Sequence, residues 1–206
     1  MKKIITIGRE LGSGGRTIGK MLANRLGISY YDRELIDEAS KNSGLSKRYI
    51  ESNEQSVTSS LLYNIAMGAS YGYGILQNAN QQTLPLSEQI YIAQKEIITK
   101  YANKGRCVIV GRCADQILSD RNDVLKVFIY SNTESRIERA VKEYGMTKEG
   151  AAKDIKLSDK ARAQHYFKFT EKNWGERQNY DLMLNSAALG FESCVNIICK
   201  ALDDSQ

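Results

Sequence analysis

The chain has 206 residues, 42% hydrophobic and 26% charged, which fits one globular domain whose core needs neither disulfides nor a structural metal. Its formal charge of +5, from 29 Lys and Arg against 24 Asp and Glu, suits an anionic ligand and is too small for a protein that coats nucleic acid. No apolar run approaches the roughly 18 residues of a membrane span, and the first strand-like run leads into charged Arg9 and Glu10 instead of a cleavage site. A cytoplasmic protein with no membrane partner is expected.

The basic excess is concentrated between Lys100 and Arg177. The four cysteines, Cys107, Cys113, Cys194 and Cys199, form no C-x-x-C pair, and with a single histidine, His165, they make no zinc set. They read as buried, reduced thiols. Nothing near His165 marks a nucleophile elbow.

Residues 3–8 are a β-branched run and predict a buried strand. The Gly-rich stretch Gly8-Arg9-Glu10-Leu11-Gly12-Ser13-Gly14-Gly15-Arg16-Thr17 follows. Ile18, Met21, Leu22 and Leu26 then fall at helical spacing, and Gly27 stops the helix. A second helical stretch is expected over residues 32–41. Residues 52–86, rich in Ser, Asn, Gln, Gly and Tyr, read as a mobile or inserted region, with a helical piece over residues 61–67. Residues 87–101 carry a helix face of Ile90, Ala93, Ile97, Ile98 and Tyr101. Cys107–Val110 and Val124–Tyr130 predict two more buried strands. Ser131-Asn132-Thr133-Glu134 has capping-box spacing and opens a helix bearing Ile137, Ala140, Val141 and Tyr144. Residues 147–172 are polar and charged, residues 180–185 predict a fourth strand, and residues 191–202 a last helix. Strands alternating with helices argue for a parallel sheet covered on both faces.

A Gly-rich turn between a first strand and a helix is where such a protein holds phosphate. Glycines let backbone N–H groups approach the anion, and the helix N-terminus adds positive charge. The full pattern would be G-x-x-x-x-G-K-[ST]. With Gly14 as its last glycine, Gly15 stands where the lysine belongs and Arg9 where the first glycine belongs. Arg16, one position on, can supply a positive charge, and Thr17 can supply the hydroxyl that holds Mg²⁺. A dinucleotide G-x-G-x-x-G fails, because Thr17 occupies its third glycine.

Gly12-Ser13-Gly14-Gly15-Arg16-Thr17-Ile18-Gly19 resembles the phosphate loop of small metabolite kinases with its lysine lost. Gly111-Arg112 after a central strand, Arg136 and Arg139 in an R-x-x-R helix, Asp159-Lys160-Ala161-Arg162 as a D-x-x-R element, and the closing strand and helix extend the likeness. Over nearly its whole length the chain resembles the cytidylate kinase-like family. That resemblance implies a three-layer α/β P-loop NTPase fold, a parallel sheet flanked by helices with a helical lid. It implies a single kinase-like domain over residues 1–206, with an acceptor-side region at 32–86 and a lid at 147–177.

It also implies ATP and Mg²⁺ as cofactors and nucleotide substrates, CMP or dCMP foremost. The donor phosphates would lie on Gly12, Ser13, Gly14, Gly15, Arg16 and Thr17, with the metal at Thr17. Asp32, Arg33, Arg112 and Asp159 would bind the acceptor. Arg16, Arg112, Arg136, Arg139 and Arg162 would act on the transferring group, because arginine's planar fork binds two phosphate oxygens. A nucleotide-binding module of the same fold, without turnover, is the alternative that Gly15 raises. No nucleic-acid reading helix or RNA-binding motif is present, and a homo-oligomer is compatible with the sequence.

Overall fold

The computed structural model describes residues 2–32 and 85–203, together with Leu35 and Glu38. Five strands form one wholly parallel sheet: β1 (Ile4–Arg9), β2 (Ser29–Tyr31), β3 (Cys107–Val110), β4 (Val124–Tyr130) and β5 (Leu182–Asn185). Their order is β2-β3-β1-β4-β5. Ile4 pairs with Cys107 on one side of β1 and with Val124 on the other.

The central strands are predominantly apolar because both faces of the sheet are covered. Side chains alternate between the faces. Ile4, Cys107, Ile109 and Val124 pack with Ile90, Ile97 and Ile98 of α2 (Leu86–Lys104) and with Ala114 of α3 (Ala114–Ile117). Ile5, Ile7, Val108, Val110 and Val127 pack with Ile18 and Leu22 of α1 (Gly15–Leu26) and with Val195 and Ile198 of α7 (Phe191–Asp203). The result is three layers, helix on sheet on helix, as expected of a P-loop architecture.

Outside these layers, α4 (Thr133–Tyr144) packs on α5 (Lys148–Thr170) through Ala140, Ala151 and Ile155, with Leu11 of the glycine-rich turn seated against them. A short α6 (Ser186–Leu189) follows β5. The polar stretch over residues 147–172 is thus mostly one 23-residue helix. Residues 52–84 of the inserted region and most of the expected helix at 32–41 lie outside the described residues; Pro85 and Leu86, placed at the end of that region, are instead the N-cap and first residue of α2.

The structure differs from the sequence pattern at two places. A fifth strand, β2, was not foreseen; it has only three residues, Ser29, Tyr30 and Tyr31, and none is buried. The capping box is displaced by one residue. Ser131 gives its backbone N–H to Glu10, and Asn132 is the N-cap of α4, its side chain accepting from the Ser135 N–H at 2.8 Å. The buried Ser131 Oγ has no hydrogen-bond partner. Asn132→Ala is therefore expected to lower stability by about 1 kcal/mol, whereas Ser131→Ala is expected to leave it unchanged. Thermal melts of the two variants check the contrast.

Candidate active site

The site is built at the carboxyl ends of three neighbouring strands, where parallel α/β sheets form their ligand crevices. Arg9 ends β1, Asp32 follows β2, and Gly111-Arg112 follows β3.

The turn from β1 into α1 depends on glycine. Gly12 and Gly14 have φ of 77° and 79°, a region that favours residues without a Cβ. A Cβ on Gly12 would lie 2.7 Å from the Arg136 carbonyl oxygen, and one on Gly14 2.3 Å from the Phe191 ring. Ser13 is fully buried; its hydroxyl donates to the Glu10 carbonyl at 2.9 Å, and its own carbonyl accepts from Ser186 Oγ at 2.6 Å. The N-cap Gly14 has no capping side chain, and the first turn of α1 holds no acidic residue. The leading N–H groups of α1 have no acceptor within the helix, so they form a positive end suited to an anion.

Side chains from α4 and α5 brace this turn from outside. Arg136 donates from Nε to the Leu11 carbonyl at 2.7 Å, pairs from Nη1 with Glu10 at 3.3 Å, and pairs from Nη2 with Asp159. Asp159 Oδ1 accepts the Leu11 N–H at 3.0 Å. Arg139 donates to the Gly12 carbonyl at 3.1 Å and stacks over the Phe191 ring at 4.3 Å. Burial raises the pKa of Glu10, against the Ser131 N–H and the Arg136 cation.

Inside the crevice, cations gather on one carboxylate. Buried Asp32 lies 2.8 Å from Arg16, 3.5 Å from Arg112 and 3.8 Å from Arg9. Arg162, from α5, donates to the Arg9 carbonyl at 3.1 Å. Burial and repulsion from Arg162 bring the Arg9 guanidinium down to about 9, with Asp32 opposing. Burial also lowers Arg162, with Asp159 opposing.

These arginines face a cleft of about 610 Å³. The strand ends supply Arg9, Gly111 and Arg112; α1 supplies Arg16. The long helix α5 supplies Asp154, Ser158, Arg162, His165 and Tyr166, and Trp174 and Tyr180 complete the wall with Asp115 of α3. Tyr166 donates to Asp115 at 2.6 Å, joining α5 to α3.

Burial raises Asp115 above the ordinary carboxylate value of 3.8, against the Tyr166 and Gln116 donors. A carboxyl raised in the folded state costs nothing below its unfolded pKa and its full cost above its folded one. Asp115→Asn is therefore expected to gain stability relative to wild type at pH 7 and to lose that advantage as pH falls toward 3.8. Urea unfolding at the two pH values checks this; an equal difference at both refutes it.

Of the residues singled out from sequence, Arg16, Arg112 and Arg162 line the cleft, and Asp32 holds Arg16 and Arg112 together. Gly12 to Thr17 form the turn and the first turn of α1. Arg136, Arg139 and Asp159, expected to face substrate, hold the turn itself. Arg33 lies outside the described residues. Thr17 is half-buried in the first turn of α1, and no group of three or more acidic, histidine or cysteine ligands occurs among the described residues. The single Thr17 hydroxyl is compatible with Mg²⁺, which takes one or two protein oxygens and completes its shell with phosphates and water. The cluster member missed from sequence is Arg9; its signal was a buried strand ending in a cation where the motif has glycine.

Comparison with known proteins agrees with this geometry. The model of the cytidylate kinase-like family matches residues 4–188. Cytidylate kinase from Archaeoglobus fulgidus is 24% identical over 204 residues, covering 97% of this chain and 94% of the relative. The crystal structure of an uncharacterized protein from Eubacterium ventriosum matches with a TM-score of 0.73 at 27% identity, covering 98% of this chain and 99% of that one. Shikimate kinase from Acinetobacter baumannii, at 12% identity and a TM-score of 0.55 over 100% of this chain and 96% of its own, shares the fold.

Proposed function

The chain belongs to the cytidylate kinase-like family, and from that premise we propose that it transfers the γ-phosphate of ATP to a nucleoside monophosphate, CMP or dCMP foremost. The observation that carries the reading is the gathering of Arg9, Arg16 and Arg112 on Asp32 beside an uncapped, glycine-lined helix N-terminus.

Phosphoryl transfer asks a protein mainly for positioning and charge neutralisation. The N–H groups leading α1 hold the donor phosphates, and Arg16 neutralises them from the solvent side. Thr17 would supply a protein oxygen to Mg²⁺, whose chemistry there would be to neutralise phosphate charge. Arg112 meets the acceptor phosphate at the end of β3, with Asp32 fixing its direction. Residues 147–177 act as the lid and residues 32–86 as the acceptor side. Arg162, reaching from α5 across the cleft, brings the lid's charge to the transferring group and helps exclude water. Arg136, Arg139 and Asp159 keep the turn in the shape that accepts phosphate.

The reading carries a cytoplasmic location, supported by four cysteines that form no disulfide. No helix among the described residues is long and apolar enough to cross a membrane.

An ADP-release assay with ATP, Mg²⁺ and a panel of nucleoside monophosphates tests the proposal. Acceptor-dependent ADP, greatest with CMP or dCMP, is expected; none with any acceptor would sink it. Gly15 in the lysine position favours the second reading, a nucleotide-binding module without turnover. Tight ATP binding, unchanged in Arg16→Ala and unaccompanied by acceptor-dependent turnover, would establish that instead.

A further inference from the structure

We propose that Arg9 performs the phosphate-binding task of the lysine that position 15 lacks, and that Gly15 is a glycine because it leaves room for the Arg9 stem. The proposal deepens the kinase reading and rests on it for the identity of the anion as a nucleotide phosphate.

The constraint is geometric. A Cβ on Gly15 would lie 2.5 Å from Arg9 Cβ and 3.0 Å from Arg9 Cγ. These atoms belong to the root of the arginine side chain, which cannot swing away as its tip could. A Cβ on Gly111 would lie 1.9 Å from Arg9 Nη1 and 2.9 Å from Cζ, and Gly111 has a φ of 78°. The stem of Arg9 therefore passes over the first residue of α1, and its head rests on the backbone at the end of β3. A lysine at position 15 and an arginine at position 9 exclude one another. The two departures from the phosphate-loop pattern are one exchange: the cation has moved from the helix start to the strand end, and the glycine has moved the other way.

The charge balance points to an anion. Among the described residues, Arg9, Arg16 and Arg112 share Asp32, and Arg162, which also pairs with Asp159, adds a fourth guanidinium against the Arg9 backbone. Arg9 and Arg112 are both largely withdrawn from water, with side chains 14% and 5% exposed. Gathering buried cations around fewer carboxylates is unfavourable, and a bound polyanion relieves it. Arg9 remains charged at neutral pH even though burial and its neighbours hold it down to about 9. Its fork can span two oxygens of one phosphate, which an ammonium cannot.

Calorimetric titration of the full chain with sodium tripolyphosphate tests the proposal without requiring turnover. Arg9→Gly is expected to weaken binding at least about tenfold. The exchange variant Arg9→Gly/Gly15→Lys, which restores the lysine pattern, is expected to return to within about threefold of wild type. Gly15→Lys alone is expected to bind poorly, because its side chain meets the Arg9 stem. Undiminished binding by Arg9→Gly, or an exchange variant no better than Arg9→Gly, overturns the proposal. Should Arg9→Gly fail to melt cooperatively, Arg9→Gln keeps the stem and removes the charge; the same loss is expected, and undiminished binding overturns the proposal. The two readings separate cleanly. Wild type that binds tripolyphosphate through Arg9 but yields no acceptor-dependent ADP defeats the kinase reading and leaves the anion site standing. Turnover undiminished in Arg9→Gly defeats the Arg9 assignment alone.

Discussion

Arg136→Ala is expected to lower the free energy of unfolding by about 3 to 5 kcal/mol, the usual result of removing one partner from a buried ionic network. The side chain is 7% exposed and ties together Glu10, the Leu11 carbonyl and Asp159. Its loss leaves two carboxylates close together in a half-buried space, with Arg162 as the cation still near Asp159. For a chain of this size that is a fall in Tm of about 10 °C. Arg136→Lys is expected to recover only part of it, because an ammonium cannot serve three directions in one plane. The exposed Arg25–Glu192 pair, with side chains 39% and 66% exposed, provides the comparison; Arg25→Ala is expected to change stability by no more than about 1 kcal/mol. Urea unfolding of the three variants reads the result. A loss below about 1 kcal/mol for Arg136→Ala would remove it as a brace of the turn.

The second large effect separates activity from stability. Arg112 and Cys113 follow β3 with φ of 57° and 54°, two successive side chains in a left-handed conformation that disfavours each by about 1 to 2 kcal/mol. Arg112→Gly relieves one of these and removes a buried cation, so Tm is expected to hold or rise despite glycine's added chain entropy. Acceptor-dependent kcat/KM is expected to fall about a hundredfold, the scale on which one lost donor to a developing charge is felt. Activity within threefold of wild type would exclude Arg112 from the acceptor phosphate. A clear drop in Tm would instead make its side chain a structural one.

Much of the architecture is legible in the sequence because of where water is excluded. Cys107–Val110 and Val124–Tyr130 are covered on both faces and therefore read as apolar runs, unbroken in the first and interrupted only by the partly buried Lys126 in the second. The first turn is legible because positive φ at Gly12 and Gly14 demands glycine. β2 was hidden, since a three-residue strand with no buried side chain has no pattern to show. Helix α5, expected through the resemblance to a family with a helical lid, shows no clear pattern of its own. It buries only Ala151, Ile155, Ala161 and Tyr166, its polar residues being divided between the cleft, the turn and solvent, so its apolar stripe is thin. Ser131 mimics a cap by spacing alone; its N–H is committed to Glu10, a partner that no local window contains. Arg9 is the sharpest case. As a motif position it looks like a defect, and its meaning depends on Gly111, brought beside it only by the pairing of β1 with β3.

The attachment of Leu11 to α5 has a consequence for motion. Its amide is held by Asp159, a side chain of that helix, rather than by the turn it belongs to. Any excursion of α5 that withdraws Asp159 uncovers this N–H to solvent, whereas the Ile18 N–H, bonded to the Gly14 carbonyl 2.9 Å away, opens only when α1 itself frays. Deuterium uptake at Leu11 thus counts the openings of the cleft, and uptake at Ile18 sets the background of a loop at rest.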